Sequence, residues 1–307
     1  IFNQRGYVSE FVYGGYGYFD MNAFFAANGY DVADRRDMPK DIPIHAENVW
    51  GVADEDLFSL AMHEMDRIHA QGKPFFLHVM TTSNHRPYTF PEGRVDLPQG
   101  QRASAVKYTD WAIGDFLARM RAKPYFADTL FVITADHCAS SAGSTRIPLN
   151  RYHIPLWIYA PAHVQPRRVE TLMAQIDIPP TVLGLLDFSY RSRFFGRDIF
   201  RVADGDERAF PSTYANLGTL ETDGYLTILS PGHKLEQVRP DPLTGAAVPH
   251  AGIDAARAAR AIAAYQVAYD EFHSDRMRWR AADSTPVSPA PPAASAAPPQ
   301  GFPPRSE

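Results

Sequence analysis

Thr129-Leu130-Phe131-Val132-Ile133-Thr134-Ala135-Asp136-His137 is an apolar, β-branched run that ends directly in a carboxylate and an imidazole. A short continuous apolar run of this kind reads as a strand covered on both faces, the habit of a sheet sandwiched between helices. Two further runs share the texture, Phe75-Phe76-Leu77-His78-Val79-Met80 and Ile154-Pro155-Leu156-Trp157-Ile158-Tyr159. Helical spacing lies between them, in Leu57, Leu60, Ala61, Met65 and Ile68, closed by Gly72, and again in Val106, Ile113, Phe116, Leu117 and Met120. Asp177 reads as the N-cap of a third helix, with Pro179 and Pro180 in its first turn and an apolar face of Val182, Leu183, Leu185 and Leu186. This alternation predicts a three-layer α/β body over residues 1–205.

Past residue 205 the texture changes. Ser212-Thr213-Tyr214-Ala215, Tyr225-Leu226-Thr227-Ile228-Leu229 and Lys234-Leu235-Glu236-Gln237-Val238 are separated by Asp223-Gly224 and Pro231-Gly232, which predicts a small antiparallel sheet. The Ala-rich stretch from Asp254 to Arg280 predicts a C-terminal helix, completing a second part over residues 206–283. Residues 284–307 hold eight of the chain's 26 prolines among Ala and Ser, a composition with too little apolar area to offset ordering, so a disordered tail is expected.

Composition narrows the function classes. A chain of 307 residues that is 45% hydrophobic can bury one large core or two modest ones, which excludes a disulfide miniprotein. Its net charge of -5, with both signs interspersed, offers no basic face to nucleic acid. Cys138 is the sole cysteine, so neither an intrachain disulfide nor a cysteine zinc cluster can form. No run approaches the roughly 18 apolar residues of a membrane span. Ile1 opens in mid-pattern, as a fragment or mature portion would.

Three stretches concentrate chemistry. Asp136 and His137 sit at the C-terminal end of a strand, the edge where open α/β sheets bind ligands, and an adjacent hard oxygen and neutral nitrogen can share one divalent metal. The alternative is a carboxylate capping the next turn beside a surface histidine. Thr81-Thr82-Ser83-Asn84-His85-Arg86-Pro87-Tyr88 follows another strand and offers hydroxyl, amide, imidazole and guanidinium donors for an oxyanion; a polar loop satisfying its own backbone is the alternative. Tyr13-Gly14-Gly15-Tyr16-Gly17-Tyr18-Phe19-Asp20 interleaves glycines with aromatics without the spacing of a phosphate-binding fingerprint, and its rings could stack on a sugar or glycerol. His45, His63, His69, His78, His153, His163, His233, His250 and His273 default to structural or surface roles.

Taken in order, Gly6-Tyr7, Tyr13-Gly14-Gly15, Phe19-Asp20, Trp50-Gly51-Val52-Ala53-Asp54-Glu55-Asp56, Lys73-Pro74-Phe75-Phe76, Thr82 to Tyr88, Asp136-His137, Ile154-Pro155-Leu156, Gln175-Ile176-Asp177, Pro180-Thr181 and Phe195-Gly196-Arg197-Asp198 resemble the sulfatase-like, lipoteichoic acid synthase type of phosphoglycerol transferases in the alkaline phosphatase superfamily. The resemblance covers about residues 5 to 200. It implies a partial three-layer alkaline-phosphatase-like sandwich, and a metal-dependent phosphoglycerol transferase or a phosphodiester or sulfate-ester hydrolase. Asp136 and His137 match metal ligands, for manganese or magnesium, with calcium or zinc as alternatives. His85 matches a substrate-binding histidine, with Arg86 beside it, and Tyr13 falls where some members carry a substrate histidine. The family's Trp-Asn-Arg stretch is replaced by Phe19-Asp20-Met21-Asn22.

The family's glutamate ligand and threonine nucleophile align upstream of Gly6, so no catalytic nucleophile is assigned here. Thr81, Thr82 and Ser140 are hydroxyls outside the expected place, and the isolated chain is expected to be catalytically incomplete. The resemblance further implies a parent anchored in a bacterial inner membrane with this domain periplasmic or extracellular, acting on an anionic lipid or glycan of the cell envelope. The contrasting class is a non-catalytic module that binds a phosphorylated or sulfated glycan. His85 and the Asp136-His137 pair, each delivered by a strand end, are expected to serve one cleft.

Overall fold

The computed structural model describes residues 1–278 and 280, and backbone contacts divide the chain into two compact units, Ile1–Thr129 and a second that begins at Leu130. The expected tail, 284–307, lies outside the described residues.

In the first unit the order is β1 (Val8–Tyr13), α1 (Met21–Ala27), β2 (Asp31–Ala33), β3 (Glu47–Asn48), β4 (Gly51–Val52), α2 (Asp54–Ala70), β5 (Phe75–Met80) and α3 (Arg102–Met120). β1 is the middle of a parallel three-stranded sheet ordered β2-β1-β5, with Glu10 level with Asp31 on one side and Leu77 on the other. Flanked on both edges, β1 is buried from Ser9 to Tyr13, whereas β5, which pairs with β1 alone among the described residues, is half-buried. The apolar run of β5 therefore forms a strand as expected but not a doubly covered one.

α2 closes this core. Val12, Val52, Leu57, Leu60 and Ala61 form one buried cluster, with Leu77, Val79 and Met38 packed on it. Gly72, with φ 69°, ends the helix as expected. α3 forms over its predicted stretch, but its buried stripe is Ala105, Tyr108, Ala112, Phe116 and Met120, while Val106 is exposed. The small residues of that stripe allow close approach to α2, where Phe58 and Phe116 stack at 4.7 Å. Phe116 and Met120 are buried as expected and Ile113 and Leu117 are half-buried, so the apolar pattern erred at Val106 and overlooked the small residues of the inward face.

In the second unit β6 (Phe131–Thr134) pairs antiparallel with β7 (Leu156–Tyr159), and α4 (Ile178–Leu185) follows. β6 is buried at Phe131, half-buried at its centre and exposed at Thr134, so its covering is graded rather than complete. Asp177 is the N-cap residue of α4 as expected, but its side chain makes no cap hydrogen bond: its carboxylate accepts from the Ala174 and Arg197 amides at 2.8 Å each. β8 (Arg208–Ala209), β9 (Leu217–Glu221), β10 (Leu226–Ser230), β11 (Lys234–Pro240) and β12 (Ala247–Pro249) build the antiparallel sheet, ordered β12-β11-β10-β9-β8.

The predicted strand at 212–215 is instead a turn with a single bridge at Ser212, and the strand lies five residues on. Gly218 disguised it, yet a Cβ there would lie 2.5 Å from the Pro211 oxygen, so the ladder needs glycine. α5 (Ala255–His273) is capped by Asp254 and anchored by Arg257, whose guanidinium meets both Glu221 and Asp223.

Glu10 supplies a test of the first core. It is 3% exposed at the centre of the sheet, with Arg67 Nη2 3.0 Å from Oε1 and Glu64 sharing the same guanidinium. Burial and then the Glu64 charge push its carboxyl up to about 7 from 4.5. A folded-state pKa above the unfolded one means that the native state holds the extra proton, so this group's contribution to stability falls as pH rises from 4.5 to about 7 and is flat above. Glu10→Gln should remove that fall, so urea midpoints of variant minus wild type should rise across this window; a pH-independent difference would refute the assignment.

Candidate functional site

The glycines after β1 serve close approach between main chains. A Cβ at Gly15 would lie 2.2 Å from the Trp50 oxygen, and one at Gly51, where φ is 141°, would lie 2.3 Å from the Gly14 oxygen. Gly14 O accepts from Val52 N at 3.0 Å. The segment after β1 is thus pressed against the β3–β4 turn. Trp50 caps that turn, its amide donating to Asn48 Oδ1 at 2.8 Å while Asn48 Nδ2 donates to Thr89 Oγ1 at 2.9 Å. Tyr13 is 2% exposed, with its hydroxyl 3.4 Å from the Trp50 oxygen, and burial pushes its pKa up.

Around the Trp50 indole stand aromatic rings that solvent reaches. Phe19, 79% exposed, lies parallel to it at 6.0 Å, and Tyr18 meets it edge-on at 6.4 Å. Phe19 and Asp20 both adopt left-handed backbone, φ 59° and 58°, a strained pair for residues with a Cβ. The His85 ring centroid is 4.1 Å from that of Trp50.

His85 belongs to the loop after β5, and the two halves of that loop behave differently. Thr82 and Ser83 are buried: Thr82 Oγ1 donates to Val52 O, and Ser83 Oγ accepts from Asp54 N. Both amides donate to Asp54 Oδ1, at 3.1 and 2.9 Å. Their donors are spent internally, as a self-satisfied loop would spend them. Asn84, His85 and Arg86 are exposed. His85 N donates to Thr82 O and Tyr88 N to His85 O, so the imidazole stands on two successive turns. Its Nδ1 is 3.0 Å from the Arg86 oxygen.

In the second unit Asp136 and His137 follow β6. Their side chains are 63% and 76% exposed, with Asp136 Oδ2 3.3 Å from His137 Nε2. Asp136 Oδ1 accepts the His137 amide at 2.8 Å, and His137 Nδ1 is 2.7 Å from the Cys138 oxygen. Two ligands each about 2 Å from a tetrahedral ion lie about 3.3 Å apart, so this oxygen and nitrogen fit one cation as a pair. No group of three or more His, Cys, Asp or Glu side chains able to hold a metal occurs among the described residues. Gln175 Nε2 donates to the oxygens of Asp136 and Ala135, at 2.6 and 3.0 Å, and fixes the turn that carries the pair.

Sequence reasoning singled out Tyr13, His85, Arg86, Asp136 and His137; it assigned no role to Trp50, Asp54 or Gln175. The signal for Asp54 was three consecutive acids before an apolar helical stretch, which reads equally well as favourable charge at a helix start.

The sulfatase family model matches residues 1–188. Phosphoglycerol transferase I of Xanthomonas campestris pv. campestris (strain B100) is 26% identical over 217 residues, covering 64% of this chain and 30% of that protein. Phosphoglycerol transferase I of Escherichia coli (strain SMS-3-5 / SECEC) is 27% identical over 149 residues, covering 45% and 20%. The chain spans less than a third of the length of these relatives. Among solved structures, a protein in the alkaline phosphatase superfamily from Vibrio parahaemolyticus has a TM-score of 0.84 at 33% identity, covering 91% of this chain and 68% of that one. The lipoteichoic acid synthase LtaP from Listeria monocytogenes, at 18% identity and a TM-score of 0.72, shares the fold over 89% and 71%.

The glycine contacts predict a sharp contrast. Gly51→Ala must move the Gly14 main chain and should destabilise by roughly 3 kcal/mol or more. Gly72→Ala, with left-handed backbone but open space around it, should cost about 1 kcal/mol. Equal losses in urea unfolding would contradict the close approach.

Proposed function

This chain belongs to the sulfatase family of the alkaline phosphatase superfamily, and on that premise we propose that it supplies the substrate-binding loop and part of the metal site of a phosphoglycerol transferase or phosphodiesterase of the cell envelope. Members of the family are sulfatase-like phosphoglycerol transferases or hydrolases. The observation that carries the reading is the division of labour in the loop after β5. Thr82 and Ser83 are committed to the protein interior, while His85 and Arg86 are left in solvent, His85 against the Trp50 ring.

Phosphoryl or sulfuryl oxygens call for this kind of group. An imidazole N–H and a guanidinium donate hydrogen bonds to such oxygens, and those from the guanidinium are charge-assisted, roughly twice as strong as neutral ones. The faces of Tyr18, Phe19 and Trp50 suit the C–H surface of a glycerol or sugar attached to the phosphate. Tyr13, although buried, holds the Trp50 main chain and so belongs to the same binding region. A lipid or glycan glycerophosphate of the envelope is the substrate class that unites these groups.

Asp136 and His137 would hold a divalent cation, manganese or magnesium by the hardness of the carboxylate, with calcium or zinc as alternatives. Such an ion, when bound, offsets phosphoryl charge and lowers the pKa of an attacking hydroxyl. Gln175 keeps the pair oriented through the main chain. With no hydroxyl of this chain assigned as the nucleophile, the reading takes the 307 residues to bind substrate without turning it over. Among the described residues no helix is long and apolar enough to cross a membrane, and the proposed place at the envelope rests on the substrate class.

Binding and turnover test separate parts of the reading. sn-Glycerol 1-phosphate should bind the purified chain, and His85→Ala should weaken it tenfold or more, about the worth of one hydrogen bond to a charged group. Unchanged affinity in His85→Ala would refute the loop assignment. With manganese present, a chromogenic phosphodiester or sulfate ester should not be hydrolysed; turnover that Asp136→Ala abolishes would refute the catalytic incompleteness of the chain.

A further inference from the structure

α2 begins with three successive acids, Asp54, Glu55 and Asp56, and all three are buried. Negative charge is welcome at a helix N-terminus, yet these carboxylates do not cap the helix: its N-cap residue is Ala53, and it has no side-chain cap. Asp54 is the most enclosed, at 0% exposure. Its Oδ1 accepts the Thr82 and Ser83 amides and its Oδ2 accepts Thr109 Oγ1 at 2.8 Å, so each of these donors is neutral. A carboxylate buried among neutral donors is costly, and burial raises its pKa. Stability by itself would be served as well by apolar packing.

We propose that Asp54 is the positioning residue of the anion-binding loop, holding the main chain at Thr82 and Ser83 so that His85 is presented beside Trp50. This rests on the reading of His85 as a substrate-binding group. The link is short. Four hydrogen bonds zip Thr82 and Ser83 onto the β4–α2 junction: two amides to Asp54 Oδ1, Thr82 Oγ1 to Val52 O, and Asp54 N to Ser83 Oγ. One further turn, His85 N to Thr82 O, carries the fixed main chain to the imidazole. The same junction continues back through Val52 and Gly51 to Trp50, so one anchor sets both sides of the His85–Trp50 contact. A second consequence is that the Thr82 and Ser83 amides are unavailable to the anion.

Asparagine separates geometry from charge. In Asp54→Asn the new side-chain oxygen can accept both loop amides and the new nitrogen can donate to Thr109 Oγ1, so the hydrogen-bond pattern survives without the charge. sn-Glycerol 1-phosphate binding is followed by NMR of 15N-labelled His, Thr and Ser in the whole chain. Asp54→Ala should weaken binding about tenfold or more, the scale on which a displaced group loses its contact, and Asp54→Asn should stay within about threefold. Ile68→Val, a milder core change in the same helix, should lower the melting temperature and leave affinity within about twofold. In wild type the ligand should shift the His85 resonances and leave the Thr82 and Ser83 amides unshifted and protected from exchange. This last measurement holds even if Asp54→Ala fails to fold.

Wild-type affinity in Asp54→Ala overturns the proposal. Equal weakening in Asp54→Asn and Asp54→Ala assigns the effect to charge and also overturns it, as do Thr82 or Ser83 amides that shift with ligand. A wild-type chain that binds no ligand, or whose binding His85→Ala leaves intact, overturns the loop reading and this inference with it.

Discussion

Three carboxylates at one helix start, each turned away from its own helix, are the constraint on which the first unit depends. Asp54 takes the loop after β5 and Thr109 of α3. Glu55 takes the Arg94 guanidinium at 3.1 Å and pairs with the Tyr108 hydroxyl, which ties the following loop to α3. Asp56 takes the His45 and Ala46 amides and the His45 Nδ1 at 2.5 Å, which fixes the chain leading into β3. Successive residues on a helix point about 100° apart, so three neighbours can serve three segments. Each carboxylate would be expensive to bury alone, and each is hydrogen-bonded, the condition on which buried polar groups are tolerated.

This geometry explains how a site can be both exposed and fixed. Loops are ordinarily the mobile parts of a fold, and binding groups placed on them lose entropy when a ligand orders them. Here the loop and the β3–β4 turn are tied down by their inner halves. The β3–β4 turn is further confined by glycine contacts too close for any Cβ, at Gly15 and Gly51. What remains in solvent is a set of rings with the Asn84, His85 and Arg86 side chains, on a floor held by these contacts. The left-handed backbone at Phe19 and Asp20 belongs to the same picture, because strain of that kind persists only where surrounding contacts hold it.

The sequence displayed the elements whose signal is local. The strands at Phe75–Met80, Phe131–Thr134 and Leu156–Tyr159, though not their degree of covering, the three helices after residue 50 and the C-terminal helix follow from period and from turn residues, and the urea test at Glu10 probes the core of the first unit. What it could not display is which face of a small-residue helix is inward, as Val106 against Ala105 and Ala112 shows, because packing partners decide that. The strand at Leu217–Glu221 was hidden by a glycine whose necessity lies in the Pro211 oxygen across the turn and in Ile147, distant in sequence. In the site, His85 and Arg86 were legible as donors after a strand. Asp54 was not, since nothing in Asp-Glu-Asp says whether the acids face solvent, the helix or another loop.

The same contrast separates the two candidate sites and says what each can contribute. The main chain leading to His85 is tied to a buried network of neutral donors through Thr82 and Ser83. Asp136 and His137 are exposed, and what fixes them is main-chain chemistry: the Asp136 carboxylate on the next amide, the His137 ring on a carbonyl, Gln175 on the turn. Their bite of 3.3 Å suits a cation, but exposed side chains bound to the main chain on one side lose rotamer entropy whenever they are held on the other. Were a metal held at the pair as proposed, it would draw its affinity from further donors, whereas an anion at His85 would draw on order already present. Binding at the loop should thus survive conditions that strip metal from the pair, which makes the anion contact the more durable half of the chemistry proposed for this chain.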